Sequence, residues 1–144
     1  MKVYLDNCCF NRPFDDQTQL RIRLEAEAKL KIQEEIRNGA IQLVWSYILD
    51  YENSKNPFPE RRIQIRAWRT YASEDIVESE ELLAIAERMQ EIGLKKMDAL
   101  HIASAIVAGA DYFLTTDDRI LKKYERIHEI RVTDPFGFIK EALL

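Results

Sequence analysis

Apolar positions along this chain follow two alternating rhythms: short unbroken runs, and longer stretches that repeat every three to four residues. Lys2 to Leu5 is a brief apolar run, which reads as a strand, and Asn11 to Asp16 forms a polar loop. Leu20, Leu24, Ala28, Ile32 and Ile36 then recur at four-residue steps, predicting a helix stopped by Asn38-Gly39. Ile41 to Trp45 is a second strand, and Ser46 is a natural N-cap for a helix carrying Tyr47, Ile48, Tyr51 and Glu52. A turn from Asn53 to Pro59 leads to a helix with Ile63, Ala67, Trp68 and Tyr71 on one face and Arg62, Arg66 and Arg69 on another. Ile76-Val77 reads as a short third strand. Leu82, Ile85, Ala86, Met89 and Ile92 mark a helix closed by Gly93. A strongly apolar helix opens at Asp98 and runs through Ala108 to Gly109. Tyr112 to Leu114 and Ile130 to Val132 are the last strands, and Pro135 starts a terminal helix. Strands alternating with helices predict βαβ units, hence an α/β fold with a mostly parallel sheet.

Composition narrows the class. A chain of 144 residues, 47% apolar and 32% charged, fits one soluble globular domain over residues 1–144, with only four Gly and four Pro for linkers. Cys8 and Cys9 are adjacent and have no spaced partners for a disulfide framework or zinc site, which points to a reducing cytoplasm. Asp6 interrupts the first apolar run too early for a signal peptide, and His101 and Asp111 break the Ala99 to Leu114 stretch, so no membrane span is expected. The net charge of −4 argues against tight non-specific duplex binding. It leaves room for a nuclease whose cations neutralise the site.

The candidate chemistry lies in four acids. Asp6 and Asp117 each end a strand, Asp98 opens a helix, and Glu52 lies about one and a half turns beyond the second strand's end. Singly each has an ordinary explanation: Asp suits turns and N-caps, and a helical Glu is commonly solvated. Together they stand where an open parallel sheet forms its binding crevice. Two carboxylates ~5 Å apart repel by roughly 3 kcal/mol at an effective dielectric near ~20, so such a cluster calls for protons or a hard divalent cation, Mg²⁺ or Mn²⁺. That combination suits metal-dependent phosphoryl transfer.

Four segments resemble the PIN domain, the family of small Mg²⁺/Mn²⁺-dependent ribonucleases that includes the VapC-type toxins of toxin–antitoxin pairs. They are Val3-Tyr4-Leu5-Asp6-Asn7, Ser46 to Glu52, Lys96 to Ala105 and Phe113-Leu114-Thr115-Thr116-Asp117, followed by a closing Val132-Thr133-Asp134-Pro135. The resemblance implies a three-layer α/β/α sandwich around a sheet of four or five strands. It also implies a metal-binding catalytic quartet of Asp6, Glu52, Asp98 and Asp117, with Thr115, Asn7 and Ser46 in support. RNA is the implied substrate, an antitoxin the implied protein partner, and a homodimer the implied assembly.

Some positions stay open at this level. Asn7 stands where the family often has Ser or Thr, and Asp118 duplicates the last acid and competes with Asp117 for its role. His101 lies one helical turn after Asp98, as a proton shuttle or as a core residue. Arg62, Arg66 and Arg69, with Lys55 and Arg61 nearby, form either an RNA track or a solvated face. The alternative reading is a non-catalytic RNA- or protein-binding module on the same fold. A phosphate-accepting receiver domain is excluded, because paired acids at the first strand's end and a Lys after a late strand are both missing. No glycine-rich phosphate loop is present either.

Overall fold

A computed structural model describes residues 1–144. Five strands, β1 (Lys2–Leu5), β2 (Gln42–Ser46), β3 (Ala72–Ile76), β4 (Tyr112–Leu114) and β5 (Arg131–Thr133), form one sheet in the order β3-β2-β1-β4-β5. Every neighbouring pair is parallel, with Val3 opposite Leu43 on one side and Tyr112 on the other. The helices are α1 (Asn7–Asn11), α2 (Leu20–Arg37), α3 (Tyr47–Ser54), α4 (Pro59–Ala67), α5 (Glu80–Glu91), α6 (Lys96–Val107), α7 (Asp118–Leu121) and α8 (Pro135–Phe138).

From β1 the chain steps outward through β2 to β3, then returns across the sheet to β4 and continues to β5. Right-handed crossovers therefore carry α2 and α4 over one face and α5 and α6 over the other. Val3, Tyr4, Leu5, Leu43, Val44, Trp45, Phe113 and Leu114 are fully buried, as a sheet covered on both faces requires. Tyr4 stacks on Phe113 across the β1–β4 boundary, with ring centroids 5.4 Å apart. That boundary is where the strand order reverses, so the crevice beyond the carboxyl ends of β1 and β4 is the expected site.

The expected α/β sandwich is the fold observed, with local differences. β3 starts at Ala72, earlier than the apolar pair Ile76-Val77 indicated, and Val77 lies outside it and 69% exposed. As an edge strand with polar Ser73, Glu74 and Asp75, β3 carries too little apolar signal to be read from pattern. In the helix after Pro59, Ile63 is 69% exposed and Ile65 takes the buried place beside Trp68. Leu20 and Leu24 at the start of α2 are also exposed; the buried face of that helix carries Glu25, Lys29 and Gln33 as well as Ile32 and Ile36. The loop at Asn11 to Asp16 begins with the end of α1 and holds a 3-10 turn at Arg12–Phe14. Gly39, Gly93 and Gly109 each follow a helix with positive φ, the conformation that lets a chain leave a helix C-terminus.

Candidate active site

Asp6 follows β1 directly and caps α1, accepting from the Asn7 amide at 2.8 Å through Oδ1. Its other oxygen, Oδ2, accepts from Thr115 Oγ1 at 2.8 Å. Thr115 follows β4 and is fully buried; its hydroxyl also accepts from the Asp117 amide at 3.1 Å. One threonine therefore ties the acid beyond β1 to the acid beyond β4. The Asp6 amide donates to the Leu114 carbonyl at 2.9 Å and extends the β1–β4 pairing to the edge of the crevice.

A second chain of hydrogen bonds approaches from beneath. Ser46 caps α3 through the Leu49 amide at 3.2 Å, and its hydroxyl lies 2.6 Å from the Tyr4 hydroxyl. Tyr4 in turn lies 2.6 Å from His101 Nδ1, and His101 Nε2 makes a short hydrogen bond to Glu52 Oε1. Ser46, Tyr4 and His101 are all fully buried, whereas Glu52 is half-buried at the surface. The fully buried imidazole thus passes the order of two strands outward to one carboxylate. His101 Nε2 is also 3.8 Å from Asp6 Oδ1. Asp6, Glu52 and His101 bring one potential ligand atom each within 4.8 Å of one another.

Asp98 sits in the first turn of α6, whose N-cap is Lys95. Asp98 therefore does not open the helix, and the capping explanation for it falls away. Asp6, Glu52, Asp98 and Asp117 all line one open cleft, together with Asn7, Cys8, Asn11, Asp15 and Arg119. Asp118 is turned away, held by a two-pronged pair with Arg21 at 2.8 and 2.9 Å. This settles which of the two adjacent acids faces the cleft.

The electrostatics are those of a partly compensated acidic site. Partial burial, then the charges of Asp6 and Asp117, raise the Asp98 carboxyl to about 6 against the opposing influence of His101 and Arg119. Burial alone would lower the His101 pKa. The Glu52 hydrogen bond and the charges of Asp6, Glu52 and Asp98 outweigh it and raise His101 above the ordinary imidazole value. Asp117 is lowered, chiefly because Arg119 grips it, Nε to Oδ1 at 3.2 Å and Nη2 to Oδ2 at 2.9 Å. Asn7 Oδ1 is a buried acceptor with no hydrogen-bond partner.

Arg62, Arg66 and Arg69 do not line the acidic cleft. Arg62 and Arg66 border a groove with Asp50 and Ser54, and Arg69 pairs with Asp75 at 2.8 Å. Lys55 lies over the Tyr51 ring, 4.2 Å from its centroid, and Arg61 bonds the Phe14 carbonyl at 2.8 Å. Sequence reasoning missed Tyr4, which reads as a core residue within an apolar strand, and Arg119, the one basic residue lining the cleft. The spacing Asp117-x-Arg119 was the available signal for Arg119: a side chain two positions past an N-cap can fold back onto it.

No protein-family model matches the sequence, and comparison with curated proteins finds no match. The solved structures similar to this chain include two that match over 93% of it and 98% of their own length. One is VapBC2 from Rickettsia felis bound to a DNA fragment from its promoter, at TM-score 0.57 and 16% identity. The other is FitAcB from Neisseria gonorrhoeae, at TM-score 0.60 and 12% identity. At such identities the likeness is one of fold. The chain has a PIN/VapC-like fold.

Proposed function

We propose that this single domain is a Mg²⁺- or Mn²⁺-dependent ribonuclease, the toxin member of a toxin–antitoxin pair. The observation that carries the reading is the convergence of Asp6, Glu52, Asp98 and Asp117, from four separate elements, on one cleft at the reversal of strand order. Partial burial, joined by repulsion from Asp6 and Asp117, already holds the Asp98 proton to about 6. An all-oxygen acidic set of this kind fits a hard divalent cation, and Asn7, whose Oδ1 is buried without a partner, lines the same cleft. Asp6, Asp98 and Asp117, with Glu52, would hold the metal. When bound, the cation supplies an activated water and charge stabilisation on the transferring phosphoryl group.

The protein's own part is positioning. Thr115 fixes the rotamer of Asp6, and the Ser46–Tyr4–His101 chain fixes Glu52. Arg119 supplies positive charge at the cleft, where a substrate phosphate must approach four carboxylates. The likeness to VapBC2 and FitAcB supports an antitoxin partner, and a homodimer is the assembly proposed with it. Free Cys8 and Cys9 suit a reducing cytoplasm, and no helix is long and apolar enough to cross a membrane.

The test is cleavage of mixed RNA with Mg²⁺ or Mn²⁺, set beside an EDTA control and Asp6→Asn. Cleavage should need the metal and disappear in Asp6→Asn. Equal cleavage by Asp6→Asn would mean that the activity belongs to a contaminant or that the site is misplaced; no cleavage at all would favour the non-catalytic binding module.

A further inference from the structure

A pocket of about 210 Å³ lies between α2, α4 and the Arg12–Phe14 turn and shares no lining residue with the acidic cleft. Its walls are apolar and largely aromatic: Phe10, Phe14, Ile65 and Trp68. Its polar lining comes mostly from one face of α2, where Lys29, Gln33 and Arg37 stand at four-residue spacing, one turn apart.

Two of the polar lining residues, Lys29 and Arg37, are cations that only donate. Lys29 and Gln33 are each only 3% exposed, and Gln33 Nε2 is buried with no hydrogen-bond partner. Lys29 Nζ lies against rings, 5.1 Å from the Phe10 centroid and 5.8 Å from that of Trp68, and the Arg37 guanidinium lies 4.7 Å from Trp68. No carboxylate lines the pocket. The nearest buried acid on the same helix, Glu25, is already engaged by Arg12 and Arg21. Buried cations are ordinarily paired and buried amides ordinarily bonded, so an ammonium and an orphan amide on two side chains that line one cavity describe half of a recognition site.

We infer that this pocket binds a small organic carboxylate with an aromatic body. The carboxylate accepts from Lys29 Nζ, with the Gln33 amide and the Arg37 charge nearby, and the body packs against Phe14 and Trp68. The volume equals that of about seven waters at roughly 30 Å³ each, which suits a one- or two-ring acid and is too small for a nucleotide. Burial lowers the Lys29 ammonium to about 7, with Arg37 adding to the effect and Cys9 opposing it, so a bound anion would also restore its charge at neutral pH. The inference is independent of the nuclease reading, since no residue is shared with the acidic cleft.

The test titrates the full chain with phenylacetate, 3-phenylpropanoate and indole-3-acetate, and with phenylacetamide as the neutral counterpart. The Trp68 indole N–H is followed by NMR. At least one acid should saturate at low-millimolar concentration and bind about tenfold more tightly than the amide. Lys29→Met should abolish that preference while leaving the melting temperature equal or higher. Gln33→Leu should weaken acid binding several-fold, which keeps the test valid if Lys29→Met does not fold. The inference is wrong if none of the three acids saturates, if acid and amide bind alike, or if both variants bind the acids as wild type does.

Discussion

Thr115 Oγ1 donates to Asp6 Oδ2 at 2.8 Å across a sequence separation of 109 residues, while the same oxygen accepts from the Asp117 amide at 3.1 Å. A fully buried hydroxyl is thus the fixed point between two carboxylates that face the cleft. Thr115→Val keeps the shape and removes both bonds. Because one of them is charge-assisted, the change should destabilise the fold by about 1.5–3 kcal/mol, and Thr115→Ser should recover most of that loss. Urea unfolding measures it. Equal stability for Val and Ser at this position would show that the hydroxyl does not hold Asp6.

Tyr4 links Ser46 to His101, and through His101 to Glu52. Tyr4→Phe leaves the stacking on Phe113 in place but strips the hydroxyl from the buried chain. A loss of about 1–3 kcal/mol is expected, the cost of leaving buried polar partners unsatisfied. Cleavage should fall through kcat more than KM, because Glu52 loses its support and not its charge. A fall confined to KM would mean that the chain does not orient Glu52.

The raised pKa of Asp98 has a definite sign in stability. Between an unfolded value near ~3.9 and the folded value of about 6, the folded state binds more protons than the unfolded state, so stability falls as pH rises through that window. Asp98→Asn should flatten this slope and raise metal-free stability at neutral pH by about 1–2 kcal/mol, discounted for the partial exposure of Asp98. His101 acts in the next window. Its raised pKa stabilises the fold below the ordinary imidazole value and loses that stabilisation as pH rises through the folded value. Melting temperature against pH, with and without Mn²⁺, checks both. Asp98→Asn should also shrink the Mn²⁺-induced shift. A full Mn²⁺ shift in Asp98→Asn would remove Asp98 from the proposed ligand set.

Arg119 grips Asp117 with two nitrogens and keeps that carboxylate occupied. A cation at Asp117 must compete with the guanidinium. Arg119→Ala should therefore tighten Mn²⁺ binding, measured calorimetrically without RNA, while raising KM for RNA cleavage. The opposite signs are the diagnostic feature. Weaker Mn²⁺ binding in Arg119→Ala would mean that the arginine organises the site for metal instead of competing with it.

The helices and most strands were legible in the sequence because their signals are local. Four-residue steps from Ala28 to Ile36, the Ser46 cap and the glycines after α2, α5 and α6 depend only on near neighbours. The four acids were legible for a related reason: each adjoins a strand end or helix start, and parallel topology sends such positions to one rim. Tertiary structure alone decided the rest. It turned Asp117 into the cleft and Asp118 onto Arg21, a choice between adjacent residues that depends on α2 passing nearby. Lys95 took the N-cap of α6, so Asp98 was left to face the other acids. His101 became a buried bridge between Tyr4 and Glu52, because three elements distant in sequence meet beneath the sheet's carboxyl edge. Periodicity shows which face a residue occupies, but its hydrogen-bond partners are set by the elements that pack against that face.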